Sequence, residues 1–78
     1  MEFKLQADFI ELDNLLKVLE LAAGGAQARQ QIQAGRVKVN GQVESRVRRK
    51  LRPGDCVEFS GQKINIVTGE SKRDNSII

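Results

Sequence analysis

The chain has 78 residues, 40% of them hydrophobic and 29% charged, which is enough for one small domain burying roughly 60 to 65% of its unfolded surface and too little for two. With no His, no Trp, no Tyr and a single Cys, it excludes a four-ligand zinc site, an imidazole-assisted nucleophile and an internal disulfide, so a hydrophobic core alone must hold the fold. The formal net charge is only +3, and without a long apolar run or a cationic leader ahead of it, a cytoplasmic, monomeric, non-catalytic protein without cofactor is expected.

Phe3 to Gln6 alternates apolar and polar residues and predicts a short edge strand. Leu12, Leu15, Leu16 and Leu19 then recur at helical spacing, with Asp13, Asn14, Lys17 and Glu20 on the opposite face. Asp8 and Glu11 have capping-box spacing, but Ile10 can prolong the strand, and a helix start at Leu12 is preferred. Ala22 to Gly25 is expected to end this helix, its paired glycines releasing the chain into a tight turn. The stretch GGAQARQQIQAG predicts a second helix, with Ala28 and Ile32 inward, Gln27, Arg29, Gln30 and Gln33 outward, and Gly35 as the stop.

In RVKVNGQVE, Val37 and Val39 alternate with cations ahead of Asn40-Gly41, the dipeptide that supplies both positive φ angles of a two-residue hairpin turn. Arg46 to Arg52 is expected to form a loop leading to a turn at Pro53-Gly54-Asp55. Cys56 to Phe59 predicts a strand, Gly61-Gln62 a turn and Lys63 to Val67 a last strand, which gives one domain over residues 1–67. Residues 68–78 read as a mobile polar tail. The fold class is α+β: two short helices, helix-turn-helix-like, packed on a small and mostly antiparallel sheet. Its expected core is Leu12, Leu15, Leu16, Leu19, Ala28, Ile32, Val37, Val39, Val57, Phe59, Ile64 and Ile66.

The charge is unevenly spread. From Ala26 to Arg52 eight cations face Glu44 alone, a balance of +7, and the remainder carries −4. Arg46, Arg48, Arg49, Lys50 and Arg52 lie within seven residues, and holding such repelling charges together is easiest to understand if a polyanion relieves them, although a solvated loop is the plain alternative. Gln27 and Arg29 lie near the N-terminal end of the second helix, where free amides and the helix dipole favour an anion. Arg36 and Lys38 share one sheet face and can extend the track, or simply face solvent. Cys56, with no histidine to activate it, reads as an inert, partly buried thiol.

Single-strand binders stack bases on exposed aromatics, and this chain has only Phe3, Phe9 and Phe59, at least two of which read as structural. Recognition is therefore expected to run through phosphates, sugars and the shape of a folded RNA, with few base contacts. Two alternatives stand beside it: a helix-turn-helix-like DNA regulator, and an adaptor whose basic face docks an acidic protein.

The segments LDNLLKVL, GGAQARQQIQAGRVKVNG and VESRVRRKLRPGD followed by VEF together resemble the S-four-type alpha-L RNA-binding domain, an appendage of tyrosyl-tRNA synthetases and pseudouridine synthases among others. The likeness spans about Leu12 to Phe59 and is nearest to the stand-alone bacterial YbcJ-like proteins. It implies an alpha-L motif in which RNA lies across the second helix and the loop entering the sheet, here Gln27, Arg29, Arg36, Lys38, Arg46, Arg48, Arg49 and Lys50. The implied partner is ribosomal RNA or a tRNA-like element, with a role in ribosome assembly or RNA metabolism. Many members open the second helix with a Ser-Arg pair. This chain has Gly24-Gly25, and Arg29 is expected to take over part of that contact.

Overall fold

The structure, a computed structural model, describes residues 1–69. In chain order the elements are β1 (Glu2–Leu5), β2 (Ile10–Glu11), α1 (Leu12–Val18), α2 (Gly25–Gln33), β3 (Val37–Val39), β4 (Gln42–Val43), β5 (Lys50–Leu51), β6 (Cys56–Phe59) and β7 (Gln62–Thr68). Five strands form one sheet in the order β1-β7-β6-β3-β4, and β2 pairs with β5 in a separate two-stranded ladder. All pairings are antiparallel except β1 with β7. The expected architecture of two helices on a small, mostly antiparallel sheet is the one observed.

The core forms where the helical and strand periodicities meet. Leu12, Leu15 and Leu16 of α1 and Ala28 and Ile32 of α2 are buried with Val37, Val39, Val57, Ile64 and Ile66, alternate residues of three adjacent strands. Burying each large aliphatic side chain contributes about 1.5 to 3 kcal/mol. Phe59 completes this set as expected, whereas Leu19 is only half-buried at its margin. Leu5, the inward residue of the alternation in β1, also belongs to the core, as do Ala22 and Leu51, which show no helical or alternating pattern with their neighbours. Cys56 is a free, half-buried thiol.

Four local expectations need correction. First, α1 ends at Val18, well before the glycine pair. Its stop is a Schellman motif in which Glu20 takes the left-handed conformation (φ 60), the Leu21 amide donates to the Leu16 carbonyl at 2.8 Å and the Glu20 amide donates to that of Lys17 at 3.0 Å. The same motif closes α2 around Gly35 (φ 80), with Arg36 donating to Gln31 and Gly35 to Ile32. Second, the β6–β7 hairpin turns at Ser60-Gly61, because Phe59 already pairs with Gln62. Third, Thr68 belongs to β7, paired with Leu5, so the sheet outlasts the expected boundary at residue 67. The rest of the expected tail, 70–78, lies outside the described residues. Fourth, Arg46 to Arg52 is not wholly loop, since Lys50–Leu51 is strand β5.

Glu20 is exposed and adopts a backbone conformation that L-residues other than Gly take at a cost of about 1 kcal/mol. Replacing Glu20 by Gly should raise the urea midpoint, by a stability gain of about 0.5 to 1 kcal/mol. Leu51→Ala, although made inside the basic segment, should cost about 2 to 5 kcal/mol like any fully buried leucine, and the same urea titration reads it.

Candidate nucleic-acid interface

Two kinds of residue share the segment from Arg46 to Arg52. Leu51 is fully buried and Val47 packs against the core, while Arg46, Arg48, Lys50 and Arg52 are exposed and Arg49 is intermediate. The apolar pair pins the segment and leaves the cations no interior to enter. Its backbone is pinned as well. Glu11, the N-cap residue of α1, makes no side-chain capping bond, and the first α1 amides are met instead by this segment: Leu12 donates to the Arg49 carbonyl at 2.9 Å and Asp13 to that of Val47 at 3.1 Å. The β2–β5 ladder, Ile10 against Leu51 and Glu11 against Lys50, continues the tie.

Glu44 holds the cations from below. It is only 7% exposed and its amide donates to the Val37 carbonyl at 2.9 Å, fixing it to β3. One carboxylate oxygen, Oε2, accepts from the Arg46 amide at 3.0 Å and Arg46 Nε at 2.9 Å; the other, Oε1, accepts from Arg46 Nη2 at 3.1 Å and Arg49 Nη1 at 2.8 Å. The Arg46 side-chain fork is the main reason that the Glu44 carboxyl is pulled down to about 2; burial opposes it, and Arg49 and the Arg46 amide add to it. Arg46, in turn, is held even more firmly protonated by Glu44.

The far end of the segment is closed by a turn in which the Asp55 amide donates to the Arg52 carbonyl at 3.0 Å. Asp55 Oδ2 accepts from the Arg52 amide at 2.9 Å, and Oδ1 accepts from Asn40 Nδ2 at 3.0 Å. Asn40 Oδ1 then accepts from the Cys56 amide at 2.9 Å. Burial pushes the Asp55 carboxyl up, but the bonds from Arg52 and Asn40, with the nearby Arg49 and Arg52 charges, outweigh it and leave the group below its ordinary value. Asn40 therefore both shapes the β3–β4 turn, with φ 54 followed by Gly41 at φ 86, and laces that turn to the end of the basic segment.

Arg46, Arg48, Arg49, Lys50 and Arg52 together line one open concavity of about 580 Å³. Among the described residues, only Arg46 and Arg49 of these five form ion pairs with an acid. Phe9 lies beside them, with Lys50 Nζ over its ring at 4.9 Å from the centroid and Arg52 Cζ at 5.9 Å.

The other candidates are placed differently. Arg36 and Lys38 line a second concavity of about 400 Å³ on the outer sheet face, with Lys63, Gln62 and Glu58. Lys38 pairs with Glu58 in register, and Glu58 forms an exposed ion pair with Lys63 at 3.6 Å, which offsets part of the positive charge there. Arg29 is exposed on α2. The neighbouring Gln27 reaches back from the third helical position, its Oε1 accepting the amide of Ala23, the residue ahead of the Gly24 N-cap. Of the nine candidates, five line one concavity, Arg36 and Lys38 line the other, and Gln27 and Arg29 line neither. Glu44 and Phe9 were not among them, although a lone acid two and five residues before two arginines is a signal that sequence inspection can use.

The Glu44 carboxyl is near 4.5 when unperturbed and about 2 in the folded chain, so its stabilising contribution is complete above about pH 5 and is lost as pH falls through that window. The urea midpoint of the wild type should fall between about pH 5 and 2. Glu44→Gln should be less stable by about 1 to 3 kcal/mol at neutral pH, and the difference between the two should close by pH 2.

The S4 domain family matches residues 3–67. YbcJ of Escherichia coli (strain K12) is 43% identical over 58 residues, which is 74% of this chain and 83% of that protein, and YbcJ of Shigella flexneri matches to the same extent. The solution structure of E. coli YbcJ, described there as revealing an αL motif involved in RNA binding, is 40% identical, with a TM-score of 0.66 and 86% of each chain covered. The fold therefore recurs in a relative of known structure, and the chain, matched by the family over residues 3–67, belongs to the S4 domain family.

Proposed function

We propose that this protein binds structured RNA, without catalysis of its own, by seating the phosphate backbone in the concavity lined by Arg46, Arg48, Arg49, Lys50 and Arg52. The observation that carries this reading is the convergence of five cations on one concavity, with the backbone beneath them fixed by α1, β2 and Glu44. A phosphate ladder is the ligand that such an array fits, since arginine forks grip phosphate through paired hydrogen bonds and lysine supplies a point charge. The αL motif of YbcJ, itself described as involved in RNA binding, supports the same ligand class. Ribosomal RNA or a tRNA-like element, met in the cytoplasm during ribosome assembly, is the substrate we favour, with the chain acting as a monomer.

Within the site the cations divide the work. Arg46 and Arg49 are already oriented by Glu44 and serve as a fixed fork. Arg48, Lys50 and Arg52 have no carboxylate partner among the described residues and bring the uncompensated charge. Arg29 and Gln27 can extend the contact along α2, and Arg36 and Lys38 form a separate, partly neutralised patch that a longer RNA can reach.

Binding measured against salt tests this. The log of the association constant should fall linearly with log salt, and Arg48→Ala should reduce the slope by roughly 0.7 to 0.9 while leaving stability within about 0.5 kcal/mol. An unchanged slope would remove the concavity from the interface. Duplex DNA of equal charge should compete poorly, because its groove shape differs from that of A-form RNA. Equal competition would favour the DNA reading.

Gly25→Ala separates the α2 contribution from the rest. A Cβ at Gly25 would meet only Lys17 Nζ, at 3.9 Å, so the fold should be unharmed. If RNA comes close to the start of α2, binding should weaken several-fold. Unaltered binding would confine the interface to the basic segment.

A further inference from the structure

Each of the three phenylalanines has a different place in the fold. Phe59 is part of the core and Phe3 packs against it, whereas Phe9 belongs to neither group although it is half-buried. Its cover is cationic. Continuing the β2–β5 register, in which Ile10 faces Leu51 and Glu11 faces Lys50, sets Phe9 across from Arg52. Lys50 Nζ and Arg52 Cζ lie over the ring at 4.9 and 5.9 Å from its centroid. Both cations also line the proposed phosphate-binding concavity. An aromatic ring that adds nothing to the core thus stands at the edge of a phosphate-binding array.

A planar aromatic face beside two cations matches the chemistry of a single nucleotide, base on ring and phosphate on cations. We propose that Phe9 stacks an unpaired nucleobase of the bound RNA, so that the preferred ligand carries a bulged, looped or terminal nucleotide next to the helical stretch whose phosphates lie in the concavity. This rests on the RNA reading above and adds a discriminating residue to it. A base inside a continuous helix already stacks on its neighbours and offers its edges to the outside, so only a nucleotide released from the stack can present its face to Phe9. A cation over a half-buried ring at the protein surface is held more weakly than a stacked base. Lys50, on its flexible stem, can therefore yield the ring to a base and turn to the adjoining phosphate.

Two hairpin RNAs of equal length test the proposal, one fully paired and one with a one-nucleotide bulge carrying 2-aminopurine. Wild-type protein should prefer the bulged hairpin and quench its 2-aminopurine fluorescence. Phe9→Leu, which retains an apolar side chain without the π face, should lose about five- to hundred-fold in affinity for the bulged RNA, lose the quenching, and bind the paired RNA as the wild type does. Phe9→Tyr should retain the preference. Phe9→Trp should retain it too, and because the natural chain has no Trp, its indole emission reports stacking directly. If Phe9→Leu weakens both RNAs equally, the ring merely positions Lys50 and Arg52, and the stacking proposal is overturned. Equal wild-type affinity for the two hairpins overturns it as well, while leaving the RNA reading intact. Failure of the wild type to bind either hairpin overturns both together.

Discussion

A buried carboxylate beneath a row of exposed cations is the constraint on which the rest of the surface depends. Like charges spaced this closely favour a segment that spreads into solvent, and solvent screening moderates that preference without removing it. Glu44, tied to β3 through its own amide, supplies a fixed negative point that four donors from Arg46 and Arg49 surround. Its burial would be unfavourable if it stood alone. Surrounded by guanidinium donors it remains ionised, and the two arginines are oriented before any ligand arrives.

The second support comes from the backbone. Helix α1 begins without a side-chain cap, and the carbonyls of Val47 and Arg49 take the place of one. This arrangement serves both partners: the helix amides are satisfied, and the basic segment is bound to the most buried helix of the domain. Val47 and Leu51 add apolar anchorage from the other side. A segment so constrained loses little conformational freedom when it meets a polyanion, and preorganisation of that kind favours affinity by lowering the entropy cost of binding. The Asn40–Asp55 bridge extends the same economy to the end of the segment.

The positive surface is consequently graded. One concavity gathers the charge that is pinned most firmly, a second on the outer sheet face is tempered by Glu58, and α2 contributes a separate exposed arginine. Such an arrangement suits an extended ligand with one principal point of attachment better than a small anion bound in one pocket. Phe9 stands beside the principal concavity, under Lys50 and Arg52, where the proposed stack on a base would adjoin the proposed phosphate contacts.

Periodicity and turn chemistry carried most of the architecture. The leucine spacing of α1, the alternation around Asn40-Gly41 and the stop at Gly35 are local properties, so the helix pair, the hairpin and nearly all of the core were legible in the chain alone, as was the concentration of charge between Arg46 and Arg52. Where the reading failed within the basic segment, the cause was non-local; at the end of α1 it was a local helix stop without a glycine. Leu51 becomes core, and Lys50–Leu51 becomes a strand, only because β2 lies alongside. Glu20 accepts a strained conformation because the Leu16 and Lys17 carbonyls need donors and Leu21 packs inward. The five cations of the principal concavity are neighbours in the chain, but what holds their segment depends on Val47 and Leu51 packing into the core, and the partnership of Glu44 with Arg46 and Arg49 depends on β3 holding that carboxylate beneath them. The sequence by itself determined that this is a small α+β domain with a basic segment; tertiary structure alone decided how that segment is anchored, since the α1 amides and strand β2 that hold it lie far away in the chain and meet it only through distances in space that no local pattern encodes.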